Sequence, residues 1–230
     1  MIPMLIVYLL KKSTIGNTIL CRLDSVKQVL IRVLFLVALF LVTNSHAINN
    51  NPINKSIAYK VLKSNKTIGT IKVIRTEGND GITYKLESDI EARCVLKFHI
   101  VGSEQSVYKD GNLVFSSVFR KVNDNVKVNH EVVLDDNKYK VKTDKGEQDL
   151  ELTSIHNNLV TLYFKEPKNI NFIYCDNIRK NAPVQVLGNG KYKVEFSKSK
   201  YNIFHYKNGK CIKVEAYSAL FDVTLIPVLS

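Results

Sequence analysis

The sequence predicts a mainly β protein: an antiparallel meander of about 10–12 strands forming a strongly curved sheet or incomplete barrel, with one short helix at about 154–164. Three observations carry this. Apolar residues alternate with polar ones at a period of two over long stretches. Clusters of Asn, Asp and Gly recur between those stretches, and these residues tolerate the positive φ of tight hairpins. Only one segment breaks the rhythm with a helical spacing.

The chain opens with a segment that does not belong to this pattern. Val33–Val42 is an apolar run of ten residues, roughly 15 Å long as a helix and about half the thickness of a bilayer core. Lys27 and Arg32 precede it and Ser45-His46-Ala47 follows. A basic flank, a short apolar core and a small-x-small site describe a secretory signal peptide. Residues 1–47 are therefore expected to be a leader cleaved after Ala47, leaving 48–230 as a single β-rich domain that is periplasmic or secreted. Membrane contact is expected only through that leader. Residues 1–25 read either as a start-site artefact or as an unusually long leader.

The whole chain carries 33 Lys+Arg against 21 Asp+Glu; removing Lys11, Lys12, Arg22, Lys27, Arg32 and Asp24 leaves 28 against 20, a charge of +8. Its lysines alternate with apolar residues instead of clustering, which is how solvated strand faces look, so no nucleic-acid partner is expected. Three cysteines remain beyond Ala47, Cys94, Cys175 and Cys211, without CxxC spacing. A zinc site or disulfide framework is unsupported. Two readings stand for the last pair: a bridge Cys175–Cys211 in an oxidising compartment, or buried free thiols.

Within the domain, turn chemistry appears at "SNK" (64), "GNDG" (78), "KDGN" (109), "NDN" (123), "DDNK" (135), "DKGE" (144), "GNG" (188) and "KNGK" (207). Ile82 to Ile100 keeps its apolar residues on even numbers, with Lys85, Glu87, Asp89, Glu91, Arg93, Lys97 and His99 among the odd ones. Fully extended, this run would span roughly 63 Å, so it must bend strongly or break near Ser88 to Arg93. The same alternation predicts inward sets of Leu113, Phe115, Ser117 and Phe119; of Tyr192, Val194 and Phe196; and of Ile212, Val214, Ala216 and Ser218. The exception is 153–167, "TSIHNNLVTLYFKEP", where Ile155, Leu159, Leu162 and Tyr163 fall at i, i+4, i+7 and i+8. Thr153 or Ser154 can cap this helix and Pro167 stops it, making a plug for the curved sheet.

"YKVLKSNKTIGTIKVIRTEGNDGITYKLESDI" (59–90), "NNLVTLYFKEP" (157–167) and "FHYKNGKCIKVE" (204–215) resemble an uncharacterised family of secreted proteins from Bacteroidota, a domain of unknown function. The resemblance implies an exported β protein and assigns no functional residue. A looser similarity of architecture runs to open β-barrels with a helical lid of the lipoprotein-localisation type.

No catalytic constellation emerges. His99, His130, His156 and His205 form neither HxH nor HExxH, and no GxSxG, GxGxxG or phosphate-cradling loop occurs. No metal, cofactor or catalytic residue is assigned. Aromatic residues are the more suggestive signal. Tyr163, Phe164, Tyr201, Phe204 and Tyr206 either fill the core or line a concave apolar surface for an acyl chain or peptide. The leading expectation is a non-catalytic exported protein that binds an apolar ligand or an envelope partner on its curved sheet. The alternative is an envelope hydrolase using Cys175, beside Asp176 in "YCDN", or a histidine with a nearby carboxylate. A third is a structural subunit pairing through an exposed sheet edge.

Overall fold

The computed structural model describes residues 52–93, 97–218 and 222–228. The leader, Cys94 and Phe221 lie outside these residues. Fourteen strands form one sheet: β1 (Ile53–Lys63), β2 (Lys66–Gly78), β3 (Gly81–Arg93), β4 (Lys97–Lys109), β5 (Asn112–Val122), β6 (Asn125–Asp135), β7 (Lys138–Thr143), β8 (Gly146–Leu150), β9 (Phe172–Cys175), β10 (Lys180–Gly188), β11 (Lys191–Ser197), β12 (Lys200–Lys207), β13 (Lys210–Tyr217) and β14 (Val223–Pro227). Their order is β8-β7-β6-β5-β4-β3-β2-β1-β14-β13-β12-β11-β10-β9, with every pair antiparallel. The sheet is open and curved. β1 zips to β14, with Tyr59 opposite Pro227 and Val61 opposite Leu225, which joins the first and last strands in the middle and leaves β8 and β9 as edges.

All eight turn clusters seen in the sequence join adjacent strands as hairpins. Several take positive φ at two successive residues, as at Ser64-Asn65, Asn123-Asp124 and Asp136-Asn137; their twist matches that of the flanking strands. The strand count exceeds the expected 10–12, and two hairpins carry no such signal: β3–β4, closed by Arg93 opposite Lys97, and β11–β12, which meet at Lys198-Ser199. The long run 82–100 is two strands of one hairpin: β3 continues to Arg93, the far end of the predicted interval Ser88 to Arg93, and β4 begins at Lys97. Parity survives from one to the other. Tyr84, Leu86, Ser88, Ile90 and Ala92 share the better-buried face of β3, opposite exposed Lys85, Glu87, Asp89, Glu91 and Arg93.

One predicted face is inverted by a β-bulge, and a second is displaced at its first residue. Between β4 and β5 the register slips, Tyr108 facing Leu113 and Val107 facing Phe115. From that point Ser116, Val118, Arg120 and Val122 face inward, while Phe115, Ser117 and Phe119 do not. An extra residue in one strand turns every later side chain over. A second bulge, which sets Tyr206 opposite Cys211 and His205 opposite Lys213, affects only the start of β13: Cys211 is buried and Ile212 exposed, while Val214 and Ala216 face inward as predicted.

The predicted helix at 154–164 is a 3-10 helix of five residues, Leu159–Tyr163. Asn158 stays extended, because residues 157–158 pair with Tyr174: an isolated parallel bridge links Asn158 and Tyr174, and the Tyr174 N–H donates to Asn157 O at 3.1 Å. Only a turn and a half remains before Pro167. Such a helix is held by packing and not by its own bonds. Val160, Thr161, Leu162 and Tyr163 are all buried, so the segment is enclosed all round and not amphipathic.

Tyrosines of the sheet hold this plug, each offering a ring for packing and a hydroxyl for a main-chain group. The Tyr163 ring packs edge-on against Tyr59 of β1 and Phe204 of β12, with centroids 5.3 and 5.6 Å apart. Tyr206 donates to Leu162 O at 2.5 Å, and Tyr192 to Glu166 Oε1 at 2.9 Å. Tyr139 donates to Leu113 O at 2.8 Å and accepts from the Ile155 N–H at 3.2 Å. One continuous core results, drawing Tyr59, Val73, Tyr84, Leu113, Val132, Tyr139, Leu162, Phe204 and Val214 from across the sheet.

Candidate functional site

Between the plug and the concave face lies a cavity of about 470 Å³. Val61, Ile71, Leu86, Ile90, Ile100, Val122, Val214 and Leu225 supply its apolar walls, with Leu159, Val160 and Tyr163 from the plug side. Glu104 and Arg120 are its oppositely charged pair, an Arg120 Nη2–H donating to Glu104 Oε1 at 3.3 Å. Asn177 donates to the same carboxylate oxygen at 3.3 Å. Burial raises the Glu104 carboxyl above its ordinary range, and Arg120 opposes that. The Glu104 side chain is 12% exposed and that of Arg120 36%. Lys200, also lining the cavity, is exposed. An apolar chamber of this size with a few convergent polar groups is the usual form of a small-molecule site.

A buried polar cluster adjoins it. Asn158 Nδ2 donates to Ser106 Oγ at 2.6 Å and to Asp176 Oδ2 at 2.8 Å. His130 Nε2 donates to Asp176 O at 3.0 Å, tying β6 to a second short 3-10 turn, Asp176–Ile178. Arg179 ends that turn in the left-handed region at φ 54°. Burial pushes the Asp176 carboxyl up to about 7, with the Glu104 charge adding to it. Asp176 Oδ1, Asn158 Oδ1, Ser116 Oγ, Tyr108 OH and Tyr174 OH have no partner among the described residues. Burial is thus the main cause that favours a protonated Asp176, and the Ser116 hydroxyl and Asn158 amide beside it oppose that.

A larger concavity of about 900 Å³ runs along the β6–β8 edge, lined by Lys127, His130, Asp144, Lys145, Glu147 and Arg179. Its charges are of both signs and mostly solvated, in contrast to the largely apolar wall of the first cavity.

Of the aromatic residues singled out from sequence, Tyr163 lines the cavity. Phe204 and Tyr206 are core residues, 0% and 6% exposed. Phe164 packs on Tyr84 at 5.7 Å, with Lys55 Nζ 6.0 Å from its ring. Tyr201 stacks on Tyr217 at 4.5 Å under Lys193 Nζ, and Tyr217 itself reaches the cavity.

Cys175 and Cys211 are both buried free thiols, so the bridge between them does not form. Burial pushes the Cys175 thiol up to about 12 and that of Cys211 to about 11, the opposite of what a nucleophile requires. His130 spends its Nε2 on Asp176 O. His99 pairs with Asp89 at 2.9 Å and His205 with Glu215 at 3.2 Å, and none of these four residues lines the chamber. Among the described residues, no group of three or more His, Cys, Asp or Glu could hold a metal. No helix among them is long and apolar enough to cross a membrane.

Fold and chamber together define a protein of one open, curved antiparallel sheet with an apolar cavity against its plug segment. The family model "Domain of unknown function (DUF6134)" matches residues 59–228, and the chain belongs to that family. Among solved structures it is similar to the crystal structure of a β-barrel-like protein of domain of unknown function DUF1849 from Brucella abortus. That likeness has 13% sequence identity and a TM-score of 0.47, covering 77% of this chain and 95% of the other. No curated protein matches the chain.

Proposed function

We propose that the protein is a non-catalytic, exported binding protein that takes an elongated apolar ligand between its plug segment and the concave face of its sheet. The cavity carries this reading. About 470 Å³ of space walled by Val61, Ile71, Leu86, Ile90, Val214 and Leu225 is more than imperfect packing leaves in a protein interior. An apolar ligand there would bury this wall and gain dispersion contacts along it. The leader ending near Ala47 supports export, and the DUF6134 assignment leaves the activity open.

The test is binding of N-phenyl-1-naphthylamine, a neutral apolar fluorophore. Saturable enhancement is expected in wild type and loss of it in Ala216→Trp, which places bulk in the chamber, with circular dichroism unchanged. Native mass spectrometry of protein from its own host should also show a bound apolar mass. A probe that never saturates, or that binds Ala216→Trp equally well, refutes the reading.

A further inference from the structure

We infer that the chamber selects an acyl chain ending in a carboxylate, whose anionic end is received by the Arg120 guanidinium; this rests on the ligand-binding reading above. The argument starts from the backbone. Arg120 would face away from the chamber if β5 kept the parity of its first residues, and the bulge at Leu113–Phe115 turns it inward. Its cross-strand partner is Gly102, which in turn is paired with Ser88. A Cβ at Gly102 would stand 2.8 Å from Ser88 Oγ and 3.9 Å from Arg120 Nε. The close approach is to Ser88, while toward Arg120 a Cβ would make only an ordinary contact, so Gly102 keeps this stretch of wall low beside the guanidinium.

Arg120 is under-used where it stands. Its contact with Glu104 is a single hydrogen bond of 3.3 Å, not the two-pronged pairing a guanidinium can make with a carboxylate. Glu104 already accepts from Asn177 as well, through the same oxygen. Arg120 thus keeps free N–H groups and an incompletely balanced positive charge at the wall of an apolar chamber, with Lys200 as a second cation on the lining. An anionic ligand end could meet the guanidinium there in paired, charge-assisted hydrogen bonds. A singly charged carboxylate fits beside Glu104 better than a phosphate dianion, which the neighbouring carboxylate would repel more strongly. The aliphatic wall accounts for the rest of the ligand.

The experiment displaces N-phenyl-1-naphthylamine from the full chain with dodecanoic acid, 1-dodecanol and dodecyl phosphate, at about pH 8 so that the acid is ionised. Dodecanoate is expected to displace the probe at a concentration about tenfold below that of the alcohol. Arg120→Gln should remove this preference and leave the alcohol unchanged. Arg120→Lys should restore part of it, and Glu104→Gln should strengthen dodecanoate binding. Equal displacement by acid and alcohol in wild type overturns the proposal while leaving an apolar ligand standing. So does an Arg120→Gln loss shared equally by both. Preference for dodecyl phosphate over dodecanoate overturns the carboxylate assignment. Failure of the probe itself to bind falls on the function proposed above and not on Arg120.

Discussion

Replacing Asp176 with asparagine tests the buried polar cluster through its proton. Raising a carboxyl from an ordinary 3.8 to about 7 is worth about 4 kcal/mol, at roughly 1.4 kcal/mol per tenfold change in proton affinity. The folded pKa lies above the unfolded one, so the folded state holds a proton that the unfolded chain has released. That contribution is fully present below about pH 4 and is lost as the pH rises through about 7. The groups around Asp176 are Glu104 from β4, His130 from β6, Arg179 and Tyr174. Burial raises Glu104, which acts in the same direction, and lowers His130, which acts in the opposite one. Comparing wild type with Asp176→Asn at each pH removes the His130 share and leaves the Asp176 proton together with its coupling to Glu104. Asparagine keeps an acceptor for Asn158 Nδ2 and carries no charge. Urea unfolding followed by circular dichroism between about pH 4 and pH 8 should show wild type losing up to about 4 kcal/mol relative to the variant. Stability curves that run parallel across that window would refute the reasoning, since Asp176 would then titrate alike in both states.

Three further outcomes are expected. With Cys21 and Cys94 replaced by serine, Cys175 and Cys211 should react with a disulfide reagent at least about a hundredfold more slowly in native protein than in guanidinium, because both thiols are buried and raised. Tyr206→Phe leaves Leu162 O without its hydroxyl donor; a loss of about 1–3 kcal/mol is expected from the urea midpoint, with an unchanged slope. Gly190→Ala should cost more than Gly111→Ala. Both glycines have positive φ, but a Cβ at 190 would lie 2.5 Å from Tyr206 O, whereas one at 111 meets nothing within 4 Å; thermal melts of the two variants make the comparison.

Much of the sheet was legible because antiparallel hairpins write themselves into local chemistry. Eight turns carry the Asn, Asp and Gly that positive φ demands, and β3 alternates without fault. The β11–β12 turn was not legible, since Lys198-Ser199 lacks that chemistry and its strands are fixed by pairing partners instead. Nor was the reach of the helix. The spacing of Ile155, Leu159, Leu162 and Tyr163 marks burial correctly, but residues 157–158 are claimed by Tyr174, a contact sixteen or more residues distant in the chain. Period alone cannot register a competing partner.

The candidate site was the least legible part, for a reason internal to β structure. A period-two reading assumes that pairing never slips, and on that assumption Phe115 and Phe119 point to the core while Ser116 and Arg120 point to water. One bulge reverses all four. The residues that give the chamber its chemistry are therefore those that look like ordinary surface positions in the sequence. Arg120 reads as one more cation in a lysine-rich chain, and Glu104 as a solvated acid. The available signal lay in β4, whose even-numbered face carries Gly102, Glu104 and Ser106 between Ile100 and Tyr108. A glycine and two polar residues in succession on a face otherwise apolar leave space and hydrogen-bonding groups inside the sheet. A strand that merely packed a core would have filled that stretch with Val or Ile. Polar groups withdrawn from water in this way cost free energy unless they find partners, and in this fold the partners come from the inverted half of β5 and from Asn158, Asp176 and Asn177.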